Sequence, residues 1–193
     1  MIIYATKETI DRYKLKMPRT LPYPANEFAQ GVLEKESGDR MLEWGAKLLY
    51  FDRRKCLQLV HFASKFTLFL INIKIGDLKD IGNYIAAYLF ELYEDDPEMQ
   101  LALRHFFTES PMVCFSKITD RGIIATLNHT QLTFADDGYR FYDFIEDGVL
   151  HTIEINREMN FNWILTQKVN GKTEYFEPGE RFRELLLQRY EEV

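Results

Sequence analysis

Few residues in this chain combine the type and the spacing that chemistry needs. The densest charged group is Asp52-Arg53-Arg54-Lys55, set between two apolar runs. Three successive cations at a tight connection suit an anion such as phosphate, carboxylate or a nucleic-acid backbone, because guanidinium and ammonium groups give charge-assisted hydrogen bonds. The same run also reads as a solvated turn whose charge keeps a strand end soluble. Arg53, Arg54 and Lys55 are therefore the candidate anion-binding residues. Trp44 opens the first apolar run, and Trp163 lies in the aromatic C-terminal third. As exposed indoles they would form a partner surface, where Trp and Tyr are enriched. As buried ones they belong to the core.

Catalytic and metal-binding patterns are weaker. His61, His105, His129 and His151 form no HxH or HExxH pair. Asp77-Leu78-Lys79 places a carboxylate two residues before a lysine. Metal-dependent phosphodiesterases use that arrangement, but here it falls at an expected helix start, where Asp serves as a cap. No Walker loop, dinucleotide-binding GxGxxG or GxSxG elbow is present. Asn128-His129 with Arg121 reads either as a polar pocket or as the exposed face of an amphipathic helix. No metal and no cofactor are implied, and no catalytic residue is assigned.

Composition narrows the class further. The chain has 193 residues, 46% of them hydrophobic and 15% aromatic. That is enough to bury a sizeable core and excludes global disorder. The net charge is −6. Nucleic acid is thus a less favoured partner than protein, because phosphate-backbone affinity needs clustered Lys and Arg. Residues 7 to 19 run against the trend, with five cations and two anions. Cys56 and Cys114 have no metal-ligand spacing and make no disulfide framework. They read as buried thiols in a reducing compartment. The first ten residues lack the pattern of a signal peptide. The longest apolar stretch, Phe66 to Ile75, is about half a membrane span. A cytoplasmic protein with no membrane association is expected.

The elements that must position these residues follow from periodicity. Ile2 to Ala5 reads as a strand, followed by a short helix capped by Thr6. Residues 17 to 26 hold three of the six prolines and form a connection. Residues 44 to 75 read as three apolar strands with short links, hence an antiparallel meander. Helices are expected near 77 to 94, 97 to 107 and 119 to 135. Asn170-Gly171 marks a hairpin, and Pro178 starts a final helix. On that helix Arg181, Arg183 and Arg189 alternate with Glu180, Glu184 and Glu191, which reads as a solvent face laced with ion pairs. The expected fold is α+β: an antiparallel β-meander sheet covered by helices, with a C-terminal β-hairpin and helix. Residues 1–137 would form the main domain, and 138–193 an extension packed on it.

Ile2-Ile3 with Thr6-Lys7, the Trp44-x-Ala46-x-Leu48-Leu49 run, Asp52-Arg53-Arg54-Lys55-Cys56-Leu57 and Thr67-Leu68-Phe69 carry a resemblance. Together they resemble a family of uncharacterised bacterial proteins, some similar to genes on plasmids and other mobile elements. The resemblance covers roughly residues 1 to 130 and implies a shared fold without an activity. Lys47 stands where that pattern has Asn. The functional expectation is a non-enzymatic binding or interaction module, with another protein or a second copy as partner. The alternative is an enzyme or binding protein for an anionic, phosphorylated ligand held at Arg53-Arg54-Lys55.

Overall fold

A computed structural model describes residues 1–169 and 171–191. Its centre is a five-stranded sheet. The strands are β1 (Ile2–Ala5), β2 (Glu43–Phe51), β3 (Arg54–His61), β4 (Thr67–Ile71) and β5 (Cys114–Lys117), in the order β4-β3-β2-β1-β5. The meander β2-β3-β4 is antiparallel as expected. The sheet as a whole is mixed, because β1 pairs parallel with both β2 and β5. The connections explain the difference. A parallel neighbour needs a long crossover. β1 reaches β2 through α1 (Lys7–Tyr13) and α2 (Ala25–Glu36), and α3 (Ile81–Leu92) with α4 (Pro97–Glu109) separates β4 from β5. Local spacing cannot reveal which distant strand a short apolar run will join.

The remaining elements are α5 (Arg121–Asp136), the two-residue strands β6 (Ile145–Glu146) and β7 (Val149–Leu150), α6 (Thr152–Arg157), the hairpin β8 (Leu165–Val169) and β9 (Lys172–Phe176), and α7 (Pro178–Tyr190). Thr6 caps α1 as expected, its side chain accepting from the Thr9 amide. Asp77 does not cap α3. It sits inside a 3-10 turn over Ile75–Asp80, where its carboxylate accepts from the Lys74 amide. The turn at Asn170 lies outside the described residues. Gly171 beside it has φ +79°, as a hairpin turn requires.

Strand alternation sends side chains to two covered faces. On one, Ile3, Trp44, Leu57 and Leu68 pack with α3, α4 and α7 through Ile85, Leu103, Phe106 and Phe182. On the other, Leu49, Cys56 and Phe69 meet Phe134, Phe141, Ile155 and Trp163. Val60 meets Ile118, Ile123 and Leu127 nearby on that second face. Gly45 lies beneath α5, where an added Cβ would run into Ile123.

The β4 edge is closed by side chains instead of a sixth strand. The Phe69 amide donates to Asn156 Oδ1 at 2.6 Å, and Asn156 Nδ2 donates to the Phe69 carbonyl at 3.2 Å. Two residues earlier on the strand, the Thr67 amide donates to Asn160 Oδ1 at 2.8 Å, and Asn160 Nδ2 donates to the Thr67 carbonyl at 2.7 Å. Both asparagines are fully buried. The two repeats match in length, since four helical residues rise about 6 Å and two strand residues about 6.6 Å. Replacing Asn156 or Asn160 by Ala should cost about 2 kcal/mol each, because two hydrogen bonds to the strand and one to a carbonyl four residues back go and a buried strand amide is orphaned. Urea unfolding measures this, and a loss below about 0.5 kcal/mol, typical of surface changes, would show that the edge is held otherwise.

Candidate interaction site

The Asp52-Arg53 pair forms the two-residue turn between β2 and β3. Both residues have positive φ, +48° and +61°, as a type I′ turn requires. Asp52 has a structural task, since its carboxylate accepts from the Phe141 amide at 2.6 Å and ties the turn to the C-terminal segment. Arg53 is exposed at the tip. Arg54 and Lys55 are consecutive strand residues and face opposite sides of the sheet. The Lys55 ammonium lies 3.8 Å from the centre of the Tyr13 ring. The three cations therefore do not converge on one ligand.

The two tryptophans are core residues, which corrects the partner-surface expectation. Trp44 is fully buried, 4.9 Å from the His61 ring and 6.4 Å from Phe182. Trp163 is 9% exposed and packs against Phe134 and Tyr139 at 6.1 and 5.8 Å. Trp44 stands on a strand covered on both faces, which leaves its indole no outlet to solvent.

The groups with chemical potential are committed to the fold. Burial pushes the Cys56 thiol far above its ordinary range and the Cys114 thiol up to about 11. His61 is fully buried, with Nε2 2.9 Å from the Met41 carbonyl and Nδ1 2.8 Å from Ser64 Oγ. A carbonyl only accepts, so Nε2 carries the proton and Nδ1 accepts. Burial, reinforced by Lys65 and Arg40 and opposed by the Met41 carbonyl and Asp39, lowers its pKa to about 4. Among the described residues no group of three or more His, Cys, Asp or Glu is arranged to hold a metal.

The surface that stands out lies between the C-terminal hairpin and α7. α7 does not carry the expected solvent face of internal ion pairs, because its arginines reach across to other elements. Arg183 bonds Asp96 at 2.6 Å and Glu98 at 3.2 Å, both on or next to α4. Arg189 bridges Asp39 at 2.7 Å and Glu109 at 2.6 Å, and Tyr190 donates to Glu109 as well. The Arg189 bonds, against partial burial, hold the Glu109 carboxyl below the usual range. Arg181 stacks on Phe176 at 4.4 Å and donates to Gln167. At the start of α7, Gly179 presses on the Phe161 ring, where any Cβ would collide, and its carbonyl accepts from Tyr93 Oη at 2.7 Å.

Anchoring α7 by its arginines leaves its glutamates outside. Glu180 and Glu184 of α7, Glu177 at its N-cap and Glu174 of the hairpin line an open groove of about 780 Å³, with Arg181 as the one cation among the lining residues. Among the described residues none of these four carboxylates is in an ion pair. Two large apolar side chains also line the groove, Tyr175 at 74% and Ile164 at 64% exposure. The sequence signal was present as four glutamates within eleven residues, 174 to 184. It was masked because the interleaved arginines suggested local neutralisation.

The fold is thus an α+β domain with a mixed sheet, and its most distinctive surface is an acidic groove edged by apolar side chains. The chain belongs to the family described as "Domain of unknown function (DUF6933)", whose model matches residues 2–181. No curated protein matches the chain. No helix among the described residues is long and apolar enough to cross a membrane.

His61 makes acid stability testable. Its folded pKa lies below the unfolded value of about 6.5, so the unfolded chain binds more protons between the two and stability falls as pH drops from about 6.5 to 4. The loss from this group should approach about 3 kcal/mol, as a shift of this size implies. Denaturation measured across that range should show a flatter profile for His61→Gln than for the parent, and parallel profiles would remove His61 as the cause.

Proposed function

We propose that this protein is a non-enzymatic interaction module whose groove between β8-β9 and α7 binds a basic segment of a partner protein. The observation that carries the reading is the segregation of charge on α7. Arg183 and Arg189 are held by carboxylates of other elements, Arg181 lies on Phe176 at the groove wall, and Glu174, Glu177, Glu180 and Glu184 line that groove in excess over it, beside exposed Tyr175 and Ile164. Aligned carboxylates raise the local concentration of a cationic partner and speed encounter. The aromatic and aliphatic side chains supply apolar area that desolvates on contact. Support for a binding role also comes from the thiols and His61, which serve packing and hydrogen bonding inside the core.

The test is fluorescence anisotropy with two short labelled peptides of equal length, one alternating Arg with Leu and Ser, the other Glu with Leu and Ser. The cationic peptide should bind, weaken as salt is raised, and bind about tenfold more weakly to a Glu174→Gln, Glu180→Gln, Glu184→Gln variant, since each exposed pair contributes up to about 1 kcal/mol. Equal affinity for the acidic peptide, or an unchanged affinity in the variant, would overturn the reading.

A further inference from the structure

A second cleft has the opposite electrostatic character. It lies between the end of α1, the first turn of α3 and the segment leading into β5, and encloses about 600 Å³. Its walls are apolar, built from Leu15, Leu21, Leu78, Ile81, Val113 and Phe115. Tyr13, whose ring carries the Lys55 ammonium, completes them. Gly82 keeps the cleft narrow at one side, because a Cβ there would stand 3.0 Å from a Val113 methyl.

The rim is cationic. Lys14, Lys16 and Lys79 all line the opening. Lys79 has Asp80 at 3.8 Å, with both side chains largely exposed. Among the described residues, Lys14 and Lys16 are in no ion pair. Asp80 is the lone carboxylate among the lining residues. The surrounding segment, residues 7 to 19, is the basic stretch of an otherwise acidic chain.

We propose that this cleft binds an amphiphilic anion, a molecule with an apolar chain or ring and one anionic head. The apolar body lies on the Leu15, Leu78, Ile81 and Val113 walls, and the head meets Lys14 and Lys16 at the rim. Each half of the site specifies one half of the ligand. Apolar walls reward removal of hydrocarbon from water, and unpaired ammonium groups at the mouth fix the orientation of the charge. A purely inorganic anion gains nothing from the walls, and an uncharged chain gains nothing from the rim. The basic stretch and the prolines at 17 to 26 are thereby given a common purpose, since the proline-rich connection carries Pro18 and Leu21 into the cleft wall.

The experiment titrates the isotope-labelled full chain with octanoate, octyl phosphate, 1-octanol and inorganic phosphate, followed by amide chemical shifts. Octanoate or octyl phosphate should saturate at one equivalent, shift the Gly82 and Val113 amides, and bind at least about tenfold more tightly than 1-octanol or phosphate, as expected for apolar and charged contacts acting together. The Lys14→Asn, Lys16→Gln variant should lose about tenfold in affinity for the anionic amphiphiles. Asn accepts the left-handed backbone of position 14, where φ is +53°, so the variant keeps the local fold. Comparable affinity for 1-octanol or for phosphate alone overturns the proposal. So does an unchanged affinity in the variant, a set of shifts confined to another surface, or no saturable binding of either anionic amphiphile.

Discussion

An unpaired sheet edge is the constraint around which the C-terminal half of this protein is organised. β4 ends the sheet on one side, and its strand residues Thr67 to Leu70 are buried, so a bare edge would leave unsatisfied amides beside a core. Asn156 and Asn160 answer those amides and carbonyls in the manner of a strand. Their position also fixes what surrounds them. Ile155 and Met159 enter the core on one face of the sheet, while Ile153 and Phe161 pack against the core on the other. The helical turn therefore wraps the edge and joins both layers. α7 then follows with Gly179 on Phe161, and the anchoring of α7 determines which of its charges face solvent.

That sequence of dependences explains why charge is separated on this molecule despite being interleaved in its sequence. A helix bound on one face through Phe182 and Leu186 can send its arginines only toward the elements it touches. To Arg183 and Arg189 those elements offer Asp96, Glu98, Glu109 and Asp39 as acceptors, while Arg181 turns to Gln167 and Phe176 of the hairpin. These pairs are partly exposed, so each contributes modestly. Their greater effect is to set orientation. The glutamates one and three residues away have no such acceptor role and turn to the hairpin.

Much of the fold was legible in the sequence, and the reasons for the gaps are physical. The meander, α1, α3, α4, α5 and the final hairpin and helix follow from local periodicity and turn chemistry, which act over a few residues, whereas residues 148–159, which hold α6, fit helix and strand alike. The parallel pairing of β1 with β2 and β5 is a long-range outcome with no local signature. Asp52-Arg53-Arg54-Lys55 was conspicuous by charge, yet pleating separates adjacent side chains and one of the four is a turn residue with a backbone partner. The Asn156 and Asn160 pair was hidden for another reason: Asn at helical spacing reads as surface until a strand edge is placed beside it. Trp44 shows the converse, since the apolar run it opens had already marked a covered strand.

The two surfaces of opposite charge occupy different places in the family-matched region. The cationic cleft is built from residues 13 to 115 and lies wholly within the match to residues 2–181. The acidic groove straddles its end, with Glu184 and Leu185 beyond it. The two also depend on different supports. The cleft is held by α1, α3 and the approach to β5, all packed directly on the sheet. The groove depends on the hairpin and on α7, which packs on the sheet directly through Phe182 and meets the segment closing the β4 edge where Gly179 lies on Phe161. Physical separation of this kind lets one protein present an acidic groove and a cationic cleft rim without either field cancelling the other, because screening in salt confines each to about 8 to 10 Å.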